Sequence, residues 1–257
     1  MIEQTFSINH LEYYLAIFVR VMGAIAFAPI FGNRTVTRRV RIFIGIACAL
    51  AVFTANPYVP LEYSTFLGYT IILLKELIVG ITIGFMSNVT LSIINAAGQF
   101  IDREIGFSMA TTFDPMQGMV TITGDLYDKI VCLVIMISNL HYYILSAAAQ
   151  SFVLVPVGDV VLNPQVVYTS MIDFIGQMFS IGFRIAMPVF LGATMLNVIL
   201  GILAKSSPQM NMFAIGMQLK VFIGLVLLAI CIMYVPNIAN YIMERMRDMV
   251  NVVLGGL

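Results

Sequence analysis

"FIGQMFSIGFRIAMPVFLGATMLNVILGILA" occupies residues 174–204 and decides the class of this protein. A helix on the surface of a soluble domain carries a polar face, whereas this run is apolar around nearly its whole circumference, as a helix surrounded by lipid or by core must be. As a straight helix it would extend about 45 Å, against a hydrocarbon core about 30 Å thick. Pro188 removes a backbone donor and crowds the preceding turn, so a kink or break is expected there.

Working outward, similar runs recur. Leu11–Ile30 carries Arg20 at its middle, and Ile42–Ala55 is short for a span. Phe66–Met86 contains Lys75 and Glu76 and continues as a more polar helix through "SNVTLSIINAAGQFIDRE". Ile130–Val155 has "NLH" near its centre, and Val221–Val235 precedes an amphipathic tail, Ile238–Leu257, with Glu244, Arg245, Arg247 and Asp248. Between the runs lie "GNRTVTRRVR" (32–41), "NPYVPLEY" (56–63), "PVGDVVLNPQ" (156–165) and "KSSPQMN" (205–211), read as loops and turns.

The composition agrees: 60% of residues are hydrophobic and 10% charged, where a soluble domain carries about 25% charged. The 257 residues could build a core but not cover it with polar surface. The runs are continuous, whereas barrel strands alternate over about ten residues, so the reading is an all-α polytopic membrane protein, a single integral membrane domain over 1–257. A net charge of zero suggests no nucleic-acid partner. "MIEQTFSINHLEYY" lacks the basic start of a signal peptide, so insertion is expected to begin with the first apolar run. Cys48, Cys132 and Cys231 are scattered through apolar runs and read as small buried hydrophobes. With only His10 and His141 besides, no metal site is expected. No phosphate loop, HExxH or GxSxG pattern occurs, so neither an enzyme nor a cofactor is expected. Asp125 and Asp128, flanking Tyr127, read as the start of a helix.

The internal charges carry more. Arg20, Lys75 and Arg184 lie inside apolar runs and Lys220 opens the last one, while Glu76 is the one carboxylate at similar depth. A cation at the bilayer centre costs about 2.5–3.5 kcal/mol on insertion scales. These cations therefore face partner subunits, border a wet lumen, or are neutralised locally by Glu76. Gly80/Gly84, Ala24/Ala28 and Ser92/Ala96 are small-xxx-small pairs that allow close helix approach.

One connector is unusual. "IGFSMATTFDPMQGMVTITGD" (105–125) combines Met109, Met116 and Met119 with Phe107 and Phe113 among breakers. Methionine is unbranched and repacks around variable shapes, glycines such as Gly106 permit large backbone changes, and Asp114-Pro115 favours a turn. Such a loop could plug a passage or be a plain extramembrane connector.

"KSSPQMNMFAIGMQLKVFIG" (205–224) resembles a signature of the FliR family of flagellar export-gate proteins, the T component of virulence type III secretion. Pro208, Gln209, Met210 and Asn211 form the hairpin turn of that pattern, and Phe213, Gly216 and Lys220 follow it. "RVMGAIAFAPIFGNRTVTRRVRI" and "GQFIDREIGFSMATTFDP" are similar to the family in the same order along the whole chain.

The resemblance implies long, partly broken helices and helical hairpins packed in a helical hetero-oligomer with P-type and Q-type subunits and the switch (B-type) export protein. In that arrangement about 1–170 is the P-type-like part, with a plug loop at 106–124, and about 171–257 a Q-type-like hairpin and tail. It implies a channel for unfolded secreted proteins in the bacterial inner membrane at the flagellar basal body. Gly106, Phe107, Met109, Phe113, Asp114, Pro115, Met116 and Met119 would then form the plug. Arg20, Lys75, Glu76, Arg184 and Lys220 would serve subunit packing or line the lumen. The other readings are a small-solute secondary transporter, for which Arg184 with Pro188 is a faint candidate, and a purely structural membrane scaffold.

Overall fold

The computed structural model describes residues 8–29, 31–32, 36–107, 121–160, 164–207 and 211–255. Among them the regular elements are helices: α1 (Ile8–Phe27), α2 (Arg38–Ala55), α3 (Phe66–Ile105), α4 (Ile122–Ile137), α5 (His141–Leu154), α6 (Pro164–Ser206), α7 (Met212–Ile232) and α8 (Val235–Leu254). Four are long and apolar enough to cross a membrane: His10–Phe27 in α1, α3, Gln165–Ser206 in α6 and Ala214–Ile232 in α7. The bent pair α4–α5 is a fifth candidate.

Several boundaries differ from the sequence reading. The basic segment 32–41 is only partly loop, because α2 begins at Arg38, and Arg41 turns back to donate to the carbonyls of Phe31 and Gly32. The run expected over 130–155 begins at Ile122 and breaks at Ser138–Leu140 with a bend of 69°. Asn139 supplies the break by adopting φ +56°, a left-handed conformation that Asn tolerates better than most residues. Helix α6 starts at Pro164, where proline's missing N–H is no loss, and runs 43 residues with Pro188 inside it. Pro188 therefore does not end the helix. Helix α3, at 40 residues, is also longer than a bilayer core, extending about 60 Å.

The chain divides into two compact units. The first comprises Met1–Thr90, Asn139–Ile175 and Ile242–Leu257, and the second Leu91–Ser138 and Gly176–Tyr241. In the first unit, α1 buries Tyr13, Ile17, Val21 and Ile25 at helical spacing against Ala49 and Val52 of α2 and Phe152 of α5. The tail, whose placement the sequence left open, packs on its own unit: Ile242, Met243, Met246, Val250 and Val253 are buried, and the Arg247 guanidinium lies 5.6 Å from the Tyr143 ring centre. At one edge, the Tyr63 phenol donates to the Glu12 carboxylate at 2.5 Å, a bond that holds its pKa above the usual tyrosine value.

Helices α1 and α3 meet at backbone distance. A Cβ placed on Gly80 would lie 2.1 Å from the Arg20 carbonyl oxygen, and one on Gly84 would lie 2.5 Å from that of Ala24. Gly23 of α1 faces the Gly80 backbone in turn. The Gly80/Gly84 pair and Ala24, read from the sequence as small residues for close helix approach, thus lie on one helix–helix seam. Gly80→Ala must push the helices apart, at about 1–3 kcal/mol, and should lower the melting temperature of the detergent-solubilised chain. Gly68→Ala, where the added methyl meets only ordinary contact with Tyr63, should leave it level or raise it slightly.

Candidate functional site

Two constructions stand out, one in each unit. In the first unit Arg20, from the middle of α1, is fully buried, as is Glu76 of α3. The Arg20 Nε donates to Glu76 Oε2 at 2.5 Å. Its Nη1 donates to the carbonyls of Ser151 and Val155, at 3.0 and 2.8 Å. Those carbonyls lie at the end of α5: Ser151 also accepts from the Val155 N–H at 2.9 Å, and Val155 is the helix C-cap, a position whose carbonyl has no helix donor. The guanidinium also sits 4.3 Å from the Phe152 ring centre. Glu76 Oε1 accepts from the Gly158 N–H at 3.1 Å, and the neighbouring Lys75 Nζ donates to the Val160 carbonyl at 2.9 Å. Gly158 reaches this position with φ +93°.

One ion pair thus ties α1, α3, the end of α5 and the turn after it. Within the chain Arg20 is neutralised locally by Glu76, while its Nη2 has no partner among the described residues. Lys75, part-buried, likewise meets a carbonyl of its own unit.

In the second unit, three contacts draw the end of α3 and the start of α4 together. Asp102, 5% exposed, accepts from the Thr123 backbone N–H with both carboxylate oxygens, at 3.1 and 3.2 Å. A carboxylate there satisfies one of the free N–H groups of the α4 N-terminus and suits its partial positive charge. One turn earlier on α3, a Cβ on Gly98 would lie 2.1 Å from the Gly124 Cα, so the two backbones touch. A further turn back, the Thr121 hydroxyl donates to Asn95 Oδ1 at 2.8 Å. Helix α3 itself ends at Gly106, whose φ of +98° is the left-handed stop glycine allows. The segment between Gly106 and Thr121 therefore leaves and returns at a closed base. The sequence reading missed Asn95, Gly98, Asp102, Thr121 and Thr123, because their pairing spans some twenty residues and has no local periodicity. An Asp three positions before the end of α3 and a second glycine opposite Gly98 were the available signals.

Gly106 and part-buried Phe107 open the proposed plug, while Met109, Phe113, Asp114, Pro115, Met116 and Met119 lie outside the described residues. Pro208, Gln209 and Met210 of the hairpin turn do too. Asn211 closes that turn by capping α7, its Oδ1 accepting from the Ala214 N–H at 3.3 Å. Arg184 is exposed on α6 and Lys220 part-buried on α7, and neither has a hydrogen bond or ion pair among the described residues. Both belong to the second unit, whereas Arg20 and Glu76 belong to the first.

The sequence that builds these two sites is similar to that of known proteins. The pattern of "Bacterial export proteins, family 1" fits residues 11–246. The chain belongs to this family. It is similar to the flagellar biosynthetic protein FliR of Bacillus subtilis (strain 168), 28% identical over 93% of this chain and 95% of that protein. It is similar to FliR of Pectobacterium carotovorum subsp. carotovorum, 25% identical over 94% and 92% of the two chains. FliR of Escherichia coli (strain K12) is 25% identical over 86% and 85%. The match extends over nearly the whole chain, and the resemblance read from the Pro208 turn and the Arg20 helix is to this same FliR family.

Two predictions follow from the geometry. Arg20→Met leaves the Glu76 carboxylate buried without its cation and should cost about 3–5 kcal/mol. The Arg20→Met/Glu76→Met double substitution should cost less than either single one, measured by thermal unfolding in detergent. At the loop base, Asp102→Ala should cost about 1 kcal/mol and quicken hydrogen exchange of the Thr123 amide, while exchange at the buried Ile17–Val21 stretch of α1 stays as it was.

Proposed function

We propose that this chain is a subunit of the export gate of a flagellar type III secretion system in the bacterial inner membrane at the flagellar basal body. It forms part of the channel for unfolded substrate proteins, beside P-type and Q-type subunits and the switch (B-type) export protein. In this reading residues 1–170 act as the P-type-like part and 171–257 as the Q-type-like hairpin and tail.

The loop from Gly106 to Gly124 plugs that channel. The observation that carries this reading is the pinned base. Asp102–Thr123, Gly98–Gly124 and Asn95–Thr121 bring the two ends of the loop together. A plug needs a fixed anchor and a deformable tip, and the Met, Phe and Gly content of 106–120 suits the tip. A resting gate must hold back ions while yielding to an extended polypeptide. Deformable methionines meet both demands better than a rigid ring of branched residues.

Membership of the export-protein family and the FliR name of its relatives support the flagellar setting. The test is a shortened loop. Removing residues from within 107–117, with the base left intact, should let the co-expressed complex leak ions across the membrane while the subunits still co-purify. Membranes as ion-tight as those with the full loop would sink the plug. A chain that purifies alone would sink the gate.

A further inference from the structure

We infer that a cleft in the second unit, built around Arg184, receives a carboxylate side chain from a neighbouring membrane subunit. This rests on the export-gate reading for the existence of that neighbour. The cleft holds about 110 Å³ of open space and is walled mainly by apolar side chains of α3, α4, α6, α7 and α8. Four of its lining residues bear polar groups: Arg184 of α6, Tyr127 of α4, Cys231 of α7 and Tyr234, which follows α7.

Two donors there lack acceptors. The Arg184 guanidinium has no partner among the described residues. Tyr127 is 3% exposed, and its hydroxyl is enclosed with no hydrogen-bond partner among them. An enclosed hydroxyl without a partner is uncommon in a finished structure and marks a missing one. Pro188 also lines the cleft. It has no N–H, so the Arg184 carbonyl four residues earlier lacks its usual helix donor. The site therefore offers two donors and a free carbonyl around one opening.

Arg184 is exposed within the chain but stands in the middle of a membrane-length apolar helix, where arginine stays charged and cannot shed its proton, so it calls for an anion. Arg20, buried by its own chain, has Glu76 and two carbonyls. A side chain fits better than a lipid headgroup for two reasons. The space admits a carboxymethyl or carboxyethyl group between apolar walls. Arg184 also stands about 30 Å along α6 from either end of that helix, near mid-span, whereas headgroups lie at the bilayer faces. The apolar span of α6 is only 22% buried within the chain, and that of α7 only 17%, so both have faces left for a neighbouring helix to bring the acid. A guanidinium accepts such a carboxylate through two parallel bonds, and the Tyr127 hydroxyl can add a third.

The experiment uses the assembled complex in native membranes. In the Arg184→Lys chain, a membrane-permeant carbodiimide should join the introduced amine to the facing carboxylate. This should give a heavier species absent from wild type and from Arg184→Ala, with an Asp or Glu of another subunit identified by mass spectrometry of the linked peptide. A second readout keeps Arg184 intact. With Cys48→Ser and Cys132→Ser in place, a maleimide should label Cys231 in the chain purified alone and lose that labelling in the complex. A complex that co-purifies but gives no position-184 link, a link only to this chain's own acids, or equal labelling of Cys231 in both states overturns the inference and leaves the export-gate reading standing. If the wild-type chain co-purifies with no other export protein, both fall, and that result is in hand before either reagent is added.

Discussion

The Arg20–Glu76 pair is the constraint around which the first unit is arranged. A buried guanidinium cannot be left without an anion, and once Glu76 supplies it, α1 and α3 are fixed face to face. The Nη1 of Arg20 then reaches two carbonyls at the end of α5, and the second oxygen of Glu76 takes the Gly158 N–H. Beside the pair the α1–α3 seam is close at the backbone, which needs residues without side chains. Gly23, Gly80 and Gly84 provide them. A larger residue on that seam and a lost charge in the pair are two ways of breaking one arrangement. Such pairs contribute less to net stability than to uniqueness in some proteins. Here the pair selects one packing of apolar helices that could otherwise slide.

The second unit obeys the same logic with weaker groups. A carboxylate on a helix N-terminus, a hydroxyl on an amide oxygen and a glycine-on-glycine contact hold α3 against α4. They bring the two ends of the intervening segment together.

Arg20 and Arg184 look alike in the sequence, each a lone arginine within an apolar run. Their surroundings separate them. The first has its charge balanced by Glu76 of its own chain, with Nη2 left without a partner among the described residues, and the second stands at the mouth of a cleft beside an unanswered tyrosine hydroxyl. Insertion energetics alone could say only that both needed company.

The sequence by itself determined the class, the approximate spans and the family. In lipid each helix satisfies its own backbone bonds, so its signature is local, and the run over 174–204 or the Pro208 turn can be read without knowing what lies beside it. The helix capped by Asn211 and the small-residue pairs were legible for the same reason. Tertiary structure alone decided which cation Glu76 neutralises, where Asn139 bends the α4–α5 pair and which backbone Asp102 caps. The partners of Arg20 lie 56 and more residues away, and those of Asp102 and Asn95 more than twenty. No periodicity records such distances. They exist only once apolar packing has brought the helices close enough for a few polar groups to find one another.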